Sequence, residues 1–120
     1  MIETALFDRL KAEVALVSNR IYAGVAPQGI DKPYITFHRL SAGYNYTHSG
    51  RSGAAAPRFQ VSIFDIGYNS AKTIQAQVVT ALEDWRTSDI QGVQIESIQD
   101  IHEQETKLYH VAIDFFIWHT

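Results

Sequence analysis

The chain has 120 residues, of which 46% are hydrophobic and 19% are charged, and its formal net charge is −3. This length and composition are typical of one folded domain and exclude a disordered chain. Because the sequence contains no cysteine, disulfides, zinc–thiolate sites and thiol nucleophiles are excluded. No apolar run approaches the roughly 18 residues that span a bilayer, so we expect no membrane partner.

The charges are distributed unevenly along the chain. The segment from Lys32 to Phe64 has no Asp or Glu, while the segment from Glu83 to Glu105 has seven acids and one base. The two segments are either solvated surfaces that merely differ or complementary surfaces of neighbouring copies. The second interpretation makes these charged residues candidates for an interface: Arg39, Arg51, Arg58, Glu96, Asp100, Glu103 and Glu105.

The first predicted element is a helix at about Thr4–Val17, because its apolar residues recur at helical spacing: Leu6, Leu10, Val14 and Val17. A short extended piece at Ile21–Ala23 follows it. Pro27-Gln28-Gly29 predicts a turn, since proline presets one dihedral and glycine can take positive φ. Pro33 then marks the entry to a strand at Tyr34–Leu40.

Residues 41–57 are rich in glycine, alanine and serine and have no apolar periodicity. We expect a long flexible loop or a mobile β-hairpin arm, because these residues bury too little surface to offset the entropy of ordering. Arg51, Arg58 and the nearby Tyr44 and Tyr46 could contact nucleic acid by stacking and phosphate pairing. Their interleaving is sparse, and contacts with protein fit such a segment better.

The second half begins with an alternating strand at Arg58–Asp65. The next helix has its apolar residues at helical spacing and is expected to be capped by Asn69 or Ser70; these apolar residues are Ala71, Ile74, Val78, Ala81, Leu82 and Trp85. Val93–Gln99 reads as a strand in which Ile98 lies out of phase, which indicates a bulge. Leu108–His119 is the last predicted strand.

This order of elements predicts a single α+β domain in which two helices pack on one face of an antiparallel or mixed β-sheet. The last strand has one continuous apolar face suited to packing under the helices: Tyr109, Val111, Ile113, Phe115 and Ile117. Phe116 and Trp118 would then point to the opposite face together with Phe64, Tyr34 and Leu40. A sheet covered on one side only should show water a polar second face. Either another copy covers these aromatics, which makes Phe64, Phe116 and Trp118 interface candidates, or the sheet curls over them.

The sequence shows no catalytic constellation. No two of the five histidines have the spacing with which a helix or strand holds a metal. No serine lies in a Gly-x-Ser-x-Gly elbow, and the glycines form no phosphate-binding loop. We therefore expect no catalytic residues, no cofactor and no metal.

Three segments carry a resemblance to a known family. They are RIYAGVAPQGIDKPYITFHRLS at Arg20–Ser41, RFQVSIFDIGYNSAKTIQAQVVTAL at Arg58–Leu82 and ETKLYHVAIDFFIWH at Glu105–His119. Within them lie a Pro-x-Gly turn before Pro33, a Tyr-x-x-Ala helix start at Tyr68, and a Leu-Tyr-x-Val…Asp-Phe…Trp-His ending. In this order and spacing they resemble the tail-completion, or tail-terminator, proteins of long-tailed phages, prophages and gene-transfer particles.

The resemblance implies a non-enzymatic subunit of the virion tail, assembled in the cytoplasm of the host bacterium. Such subunits form a homo-oligomeric, typically hexameric ring on the tail-tube protein, stop polymerisation of the tube and present a surface to the head–tail connector protein. DNA would pass through the channel without specific binding. Two alternatives stay open: a small dimeric α+β enzyme or ligand-binding protein with a pocket between sheet and helices, and a neighbouring head–tail connector component.

Overall fold

The computed structural model of the protein describes residues 2–14, 17, 20–41, 44–47, 50–104 and 107–119, with the backbone alone for residues 41–55 and 103. Within these residues, two α-helices and seven strands follow one another. Their bounds are α1 Ile2–Glu13, β1 Ile21–Ala23, β2 Tyr34–Ser41, β3 Tyr44–Thr47, β4 Gly50–Ala55, β5 Arg58–Asp65, α2 Tyr68–Glu83, β6 Ile90–Glu103 and β7 Leu108–His119.

The main sheet has the order β1-β2-β5-β7-β6. β1 pairs with β2 in parallel, and the other neighbours in this order are antiparallel, so the sheet is mixed. The helices lie together on one face of it. The predicted α+β class, with two helices on one face of an antiparallel or mixed sheet, is confirmed.

The strands β3 and β4 form a two-stranded ribbon, residues 44–55, which we call the arm. The arm continues the β2–β5 hairpin beyond the main sheet, and Ala55 pairs with His119 at its root. The molecule accordingly measures 51 × 26 × 23 Å. Of the two structures expected for this segment, a long loop and a β-hairpin arm, the structure has the β-hairpin. The flexibility of the segment stays a prediction.

The segment predicted as a loop ends earlier than expected. Ala56 and Pro57 are buried, and the Ile117 amide donates to the Pro57 carbonyl over 3.1 Å. These two residues therefore belong to the body of the protein, because they close the end of the sheet beside β7.

The space between the helices and the sheet is filled by one apolar cluster. α1 contributes Leu6 and Leu10, and the Arg9 Nε donates to the Ala81 carbonyl of α2 over 2.9 Å, which ties the helices together. Burial of such side chains stabilises the fold by about 1.5–3 kcal/mol each. The largest fully buried side chains are Phe59, Phe115, Leu6, Leu10, Ile35, Ile63, Ile74, Leu82, Ile113, Ile117, Val14 and Val17.

The predicted end of the first helix is wrong, although its apolar pattern is right. α1 ends at Glu13, but the Val14 amide still donates to the Leu10 carbonyl over 2.9 Å, and Val17 lies in a short 3₁₀ turn. Val14 and Val17 are both buried. The apolar spacing therefore continues past the end of α1 because Val14 and Val17 face the core. It does not mean that the helix continues.

The predicted cap of the second helix is also wrong. The N-cap is Gly67, in an extended conformation and without a side-chain cap, so that α2 begins at Tyr68. Only Ile66 and Gly67 separate β5 from the helix, and this short connection forces the helix to start before Asn69 and Ser70.

The strand β6 is longer than the predicted Val93–Gln99, because it pairs with β7 along its whole length. The register shifts between Ile95 and Ser97, which confirms the bulge inferred from the phase of Ile98. A second shift lies between Ile90 and Gly92.

Candidate assembly surface

The face of the sheet opposite the helices, which we call the open face, has no described element packed over it. Strand register places its side chains in rows that cross β2, β5, β7 and β6. In β7 the buried Phe115 and Ile117 point towards the helices, whereas Phe116 and Trp118 point to the open face. The predicted division of β7 into two faces is therefore confirmed.

At one end of the open face lies a row of stacked rings, which we call the stacked patch. Phe64 stacks on Tyr34 with ring centroids 4.9 Å apart and on His110 at 4.4 Å. The next residue in the row is Ile101 of β6, which pairs with His110 and is 42% exposed. Offset-stacked rings gain about 0.5–1.5 kcal/mol beyond their area burial, so the stacking adds to the stability of this arrangement.

The middle of the open face is polar or small. Thr36, Ser62 and Ala112 form one row and are buried between their larger neighbours. Beside them, Asp114 accepts hydrogen bonds from Gln60 Nε2 and Arg58 Nη2, each over 2.9 Å. The open face is therefore polar in the centre and apolar at its two ends.

The other end of the open face carries a second apolar group, Leu40, Phe116 and Trp118, which we call the arm-end patch. Leu40 is 43% exposed and Trp118 is 37% exposed. The Arg58 guanidinium carbon lies 5.8 Å from the centroid of the Phe116 ring, which leaves that ring half-buried. Phe116 lies six steps along β7 from His110, which corresponds to about 20 Å at 3.3 Å per residue.

Three of the charged interface candidates pair within the chain. Arg39 Nη2 contacts Glu3 of α1 over 2.7 Å, Arg58 contacts Asp114, and Asp100 accepts from Lys72 Nζ over 3.1 Å. Exposed pairs of this kind contribute about 0–1 kcal/mol. Arg39 projects from the helix side of β2 and lies over the Phe59 ring at 5.4 Å. It is thus separated from the open face, where Phe64, Phe116 and Trp118 lie.

The remaining charged candidates are placed less completely. Glu96 is exposed at the β6 bulge and accepts from Gln94 Nε2 over 3.2 Å. Arg51 and Glu103 are described by their backbone alone, in β4 and β6, and Glu105 lies outside the described residues. The proposed contact between acidic and basic segments therefore stays a prediction for all of them.

Sequence reasoning missed a group of ring and apolar side chains at the same end of the sheet as the stacked patch, with Tyr68 and Tyr109 on the helix side. Ile66 is 71% exposed in the β5–α2 connection, and Tyr68 packs edge-on against Tyr109 with ring centroids 5.5 Å apart. His102 in turn lies 4.7 Å from the Tyr109 ring. Periodicity could not have found this group, since its members come from a connection, a helix start and two strands.

Within the residues that the structure describes, no three His, Asp or Glu side chains gather in a way that could hold a metal ion. No described helix is both long and apolar enough to cross a membrane. The layer between sheet and helices is filled by core side chains.

The fold and the open face together define a small α+β protein whose sheet leaves one face available to other molecules. The sequence gives the particular family: the model of the family described as tail completion protein gp17 matches residues 4–120, and the chain belongs to that family. The protein is therefore a structural component of a phage-type tail and is located in the virion tail, which confirms the resemblance.

A solved structure contains a chain of the same fold. It is the virion of a native gene transfer agent particle, with a TM-score of 0.78 and 16% sequence identity over 98% of this chain and 93% of that chain. No curated protein matches the chain by sequence.

Proposed function

We propose that the protein is a tail terminator: its copies close into a hexameric ring on the tail-tube protein, stop polymerisation of the tube and present a surface to the head–tail connector protein. The protein performs no catalysis in this role. It acts through contacts with its own copies and with tail components. DNA passes through the channel of the ring without specific binding.

The observation that carries this proposal is the open face. A sheet with one face in water normally shows polar side chains there. Here the arm-end patch and the stacked patch expose apolar surface at both ends of that face. Exposed apolar groups rimmed by polar residues mark sites of protein contact. The polar centre around Asp114 fixes register and suppresses wrong partners.

A ring requires a head-to-tail contact between two different surfaces of the subunit. The sheet supplies two different edges, because β6 lies at one side and β1 with β2 at the other. The acidic segment contributes β6, and the acid-free segment contributes β2. This arrangement supports a ring in which one sheet edge of each subunit meets the opposite edge of the next. The stacked patch and the arm-end patch would then supply apolar contacts to the partners.

Tube assembly in vitro tests the proposal. Tail-tube protein alone should grow tubes of unlimited length, and addition of this protein should halt growth and leave a ring at one tube end in negative-stain images. Trp118→Ala should bind tube ends more weakly, while Lys11→Ala, on the exposed side of α1, should act as wild type. If the tubes grow unchanged and no added protein is seen at their ends, the protein is not a terminator. That result would favour a head–tail connector component.

A further inference from the structure

A cleft of about 650 Å³ opens between α1, the segment that joins α2 to β6, and the end of β7. Its floor is apolar, since Trp85 and Ile90 lie at its base and Ala5 lies in its wall. Asp8 and Asp89 line the same cleft and are exposed. The cleft therefore suits a group that combines apolar surface with positive charge.

The two carboxylates are available to a partner. Within the described part of the chain, neither Asp8 nor Asp89 has a side-chain hydrogen bond or an ion pair. Arg9 also lines the cleft, but its Nε donates to the Ala81 carbonyl and its Nη1 contacts Glu13 over 3.5 Å. This guanidinium is therefore already engaged by α1 and α2, and His119 is the other residue of the lining that can carry a positive charge.

The arm is the segment of the chain that most needs a partner surface. An isolated two-stranded ribbon is marginally stable in water. The arm is joined to the sheet at Ala55, and its sequence has tyrosines and Arg51 but no acid. Its composition thus matches the cleft, with aromatic groups for the apolar floor and a cation for the rim.

The geometry points to the arm of a neighbouring copy as the occupant of this cleft. His119 pairs with Ala55 at the root of the arm and also lines the cleft, so both features lie at the same end of the molecule. The six residues of β4 carry the tip about 20 Å from that root, too far to enter the chain's own cleft while β3 and β4 stay paired. Rotation about a ring axis leaves the height of each feature unchanged, so the root of the arm and the cleft lie at similar heights in adjacent copies.

This inference rests on the proposed ring and names the contact that links its subunits. If the arm reaches into the next copy, each subunit inserts its own arm into one neighbour and receives the arm of the other neighbour. A closed ring of heterologous contacts requires this arrangement. The alternative occupant, the tail-tube protein, becomes an outcome of the test.

Cysteine cross-linking tests the contact cleanly, because the chain has no cysteine of its own. Thr47→Cys near the arm tip and Ala5→Cys in the cleft are combined in one chain, and the assembled protein is oxidised. We expect a ladder of covalent multimers on a non-reducing gel. The matched control combines Thr47→Cys with Thr80→Cys, in the groove between the helices, and should give no ladder.

The outcomes separate this inference from the proposed function. A ring seen by native mass spectrometry that cross-links no better than the control would overturn the arm contact and leave the ring intact. Cross-links to added tail-tube protein in place of the ladder would also overturn it. If no ring forms, both the arm contact and the proposed terminator function are contradicted.

Charge reversal gives a second, independent test of the contact between arm and cleft. Asp89→Lys and Arg51→Glu should each weaken self-association about tenfold, and the double variant should restore it, since an exchanged pair recovers the attraction. Asp84→Lys is the control, because Asp84 is exposed at the end of α2 and does not line the cleft. Failure of the double variant to recover while both single variants fold would contradict the contact.

Discussion

Two aromatic neighbours in β7, Phe115 and Phe116, have the same side chain and opposite surroundings. Phe115 is 0% exposed and stacks against Phe59 at 6.2 Å beneath the helices, whereas Phe116 lies half-buried on the open face. One step along a strand turns a side chain to the other face. The helix-covered face therefore holds the subunit together, and the open face is left for its partners.

The largest effect is expected on the helix-covered face. Phe115→Ala should lower the free energy of unfolding of the monomer by about 3–5 kcal/mol, because it leaves a cavity in a filled core. Urea denaturation below the assembly concentration measures it. Phe116→Ala is the matched control and should lose far less; equal losses would mean that both faces of the sheet belong to the core.

Trp118→Ala should act mainly on assembly. An interface anchor of this kind contributes about 2 kcal/mol or more when its partner covers it. We expect the self-association constant from sedimentation to fall accordingly, with the monomer retaining its fold and most of its melting temperature. If the monomer loses as much stability as Phe115→Ala, Trp118 is a core residue and the arm-end patch is not an interface.

Shortening the arm should leave the body of the protein almost unchanged. Replacement of residues 45–54 by Asn-Gly joins Tyr44 to Ala55, which are register partners, and keeps the buried Ala56 and Pro57. The free energy of unfolding should change by less than about 1 kcal/mol. Assembly and tail completion should be lost. Unfolding of the shortened protein would show instead that the arm stabilises the body.

Salt should have the smallest effect. Raising the ionic strength from about 0.1 M to 1 M shortens the screening length from roughly 10 Å to 3 Å and should weaken assembly where charges face each other. Since Arg39, Arg58 and Asp100 already pair within the chain, the loss should be smaller than for Trp118→Ala. Sedimentation at both salt concentrations measures it, and a salt-insensitive strict dimer would contradict head-to-tail closure.

Periodicity in the sequence predicted most of the fold. The bounds of β5 and β7 and the two faces of β7 follow from alternation, because each of these strands has one face in a filled core. The end of α1 and the cap of α2 did not follow, since burial of Val17 and a two-residue connection decided them. Tertiary contacts override local signals at such boundaries.

The candidate surface was predictable only in part. Strand alternation placed Phe64, Phe116 and Trp118 on one face, but only the cross-strand register showed two patches separated by a polar centre. The partners of Arg39 and Arg58 are 36 and 56 residues away in sequence, so no local pattern could have revealed these pairs. A local pattern could not have revealed the cleft either, because the cleft is formed by three separate segments of the chain.

Hydroxyl-radical footprinting of the monomer and of the assembled protein tests the central claim most directly, since it reports the solvent exposure of individual aromatic side chains. On assembly, Phe116 and Trp118 should become strongly protected from oxidation, whereas the half-buried Phe7 of α1, outside the proposed contacts, should react as before. Protection confined to the outer side of the helices, with unchanged oxidation of Phe116 and Trp118, would contradict the open face as the assembly surface.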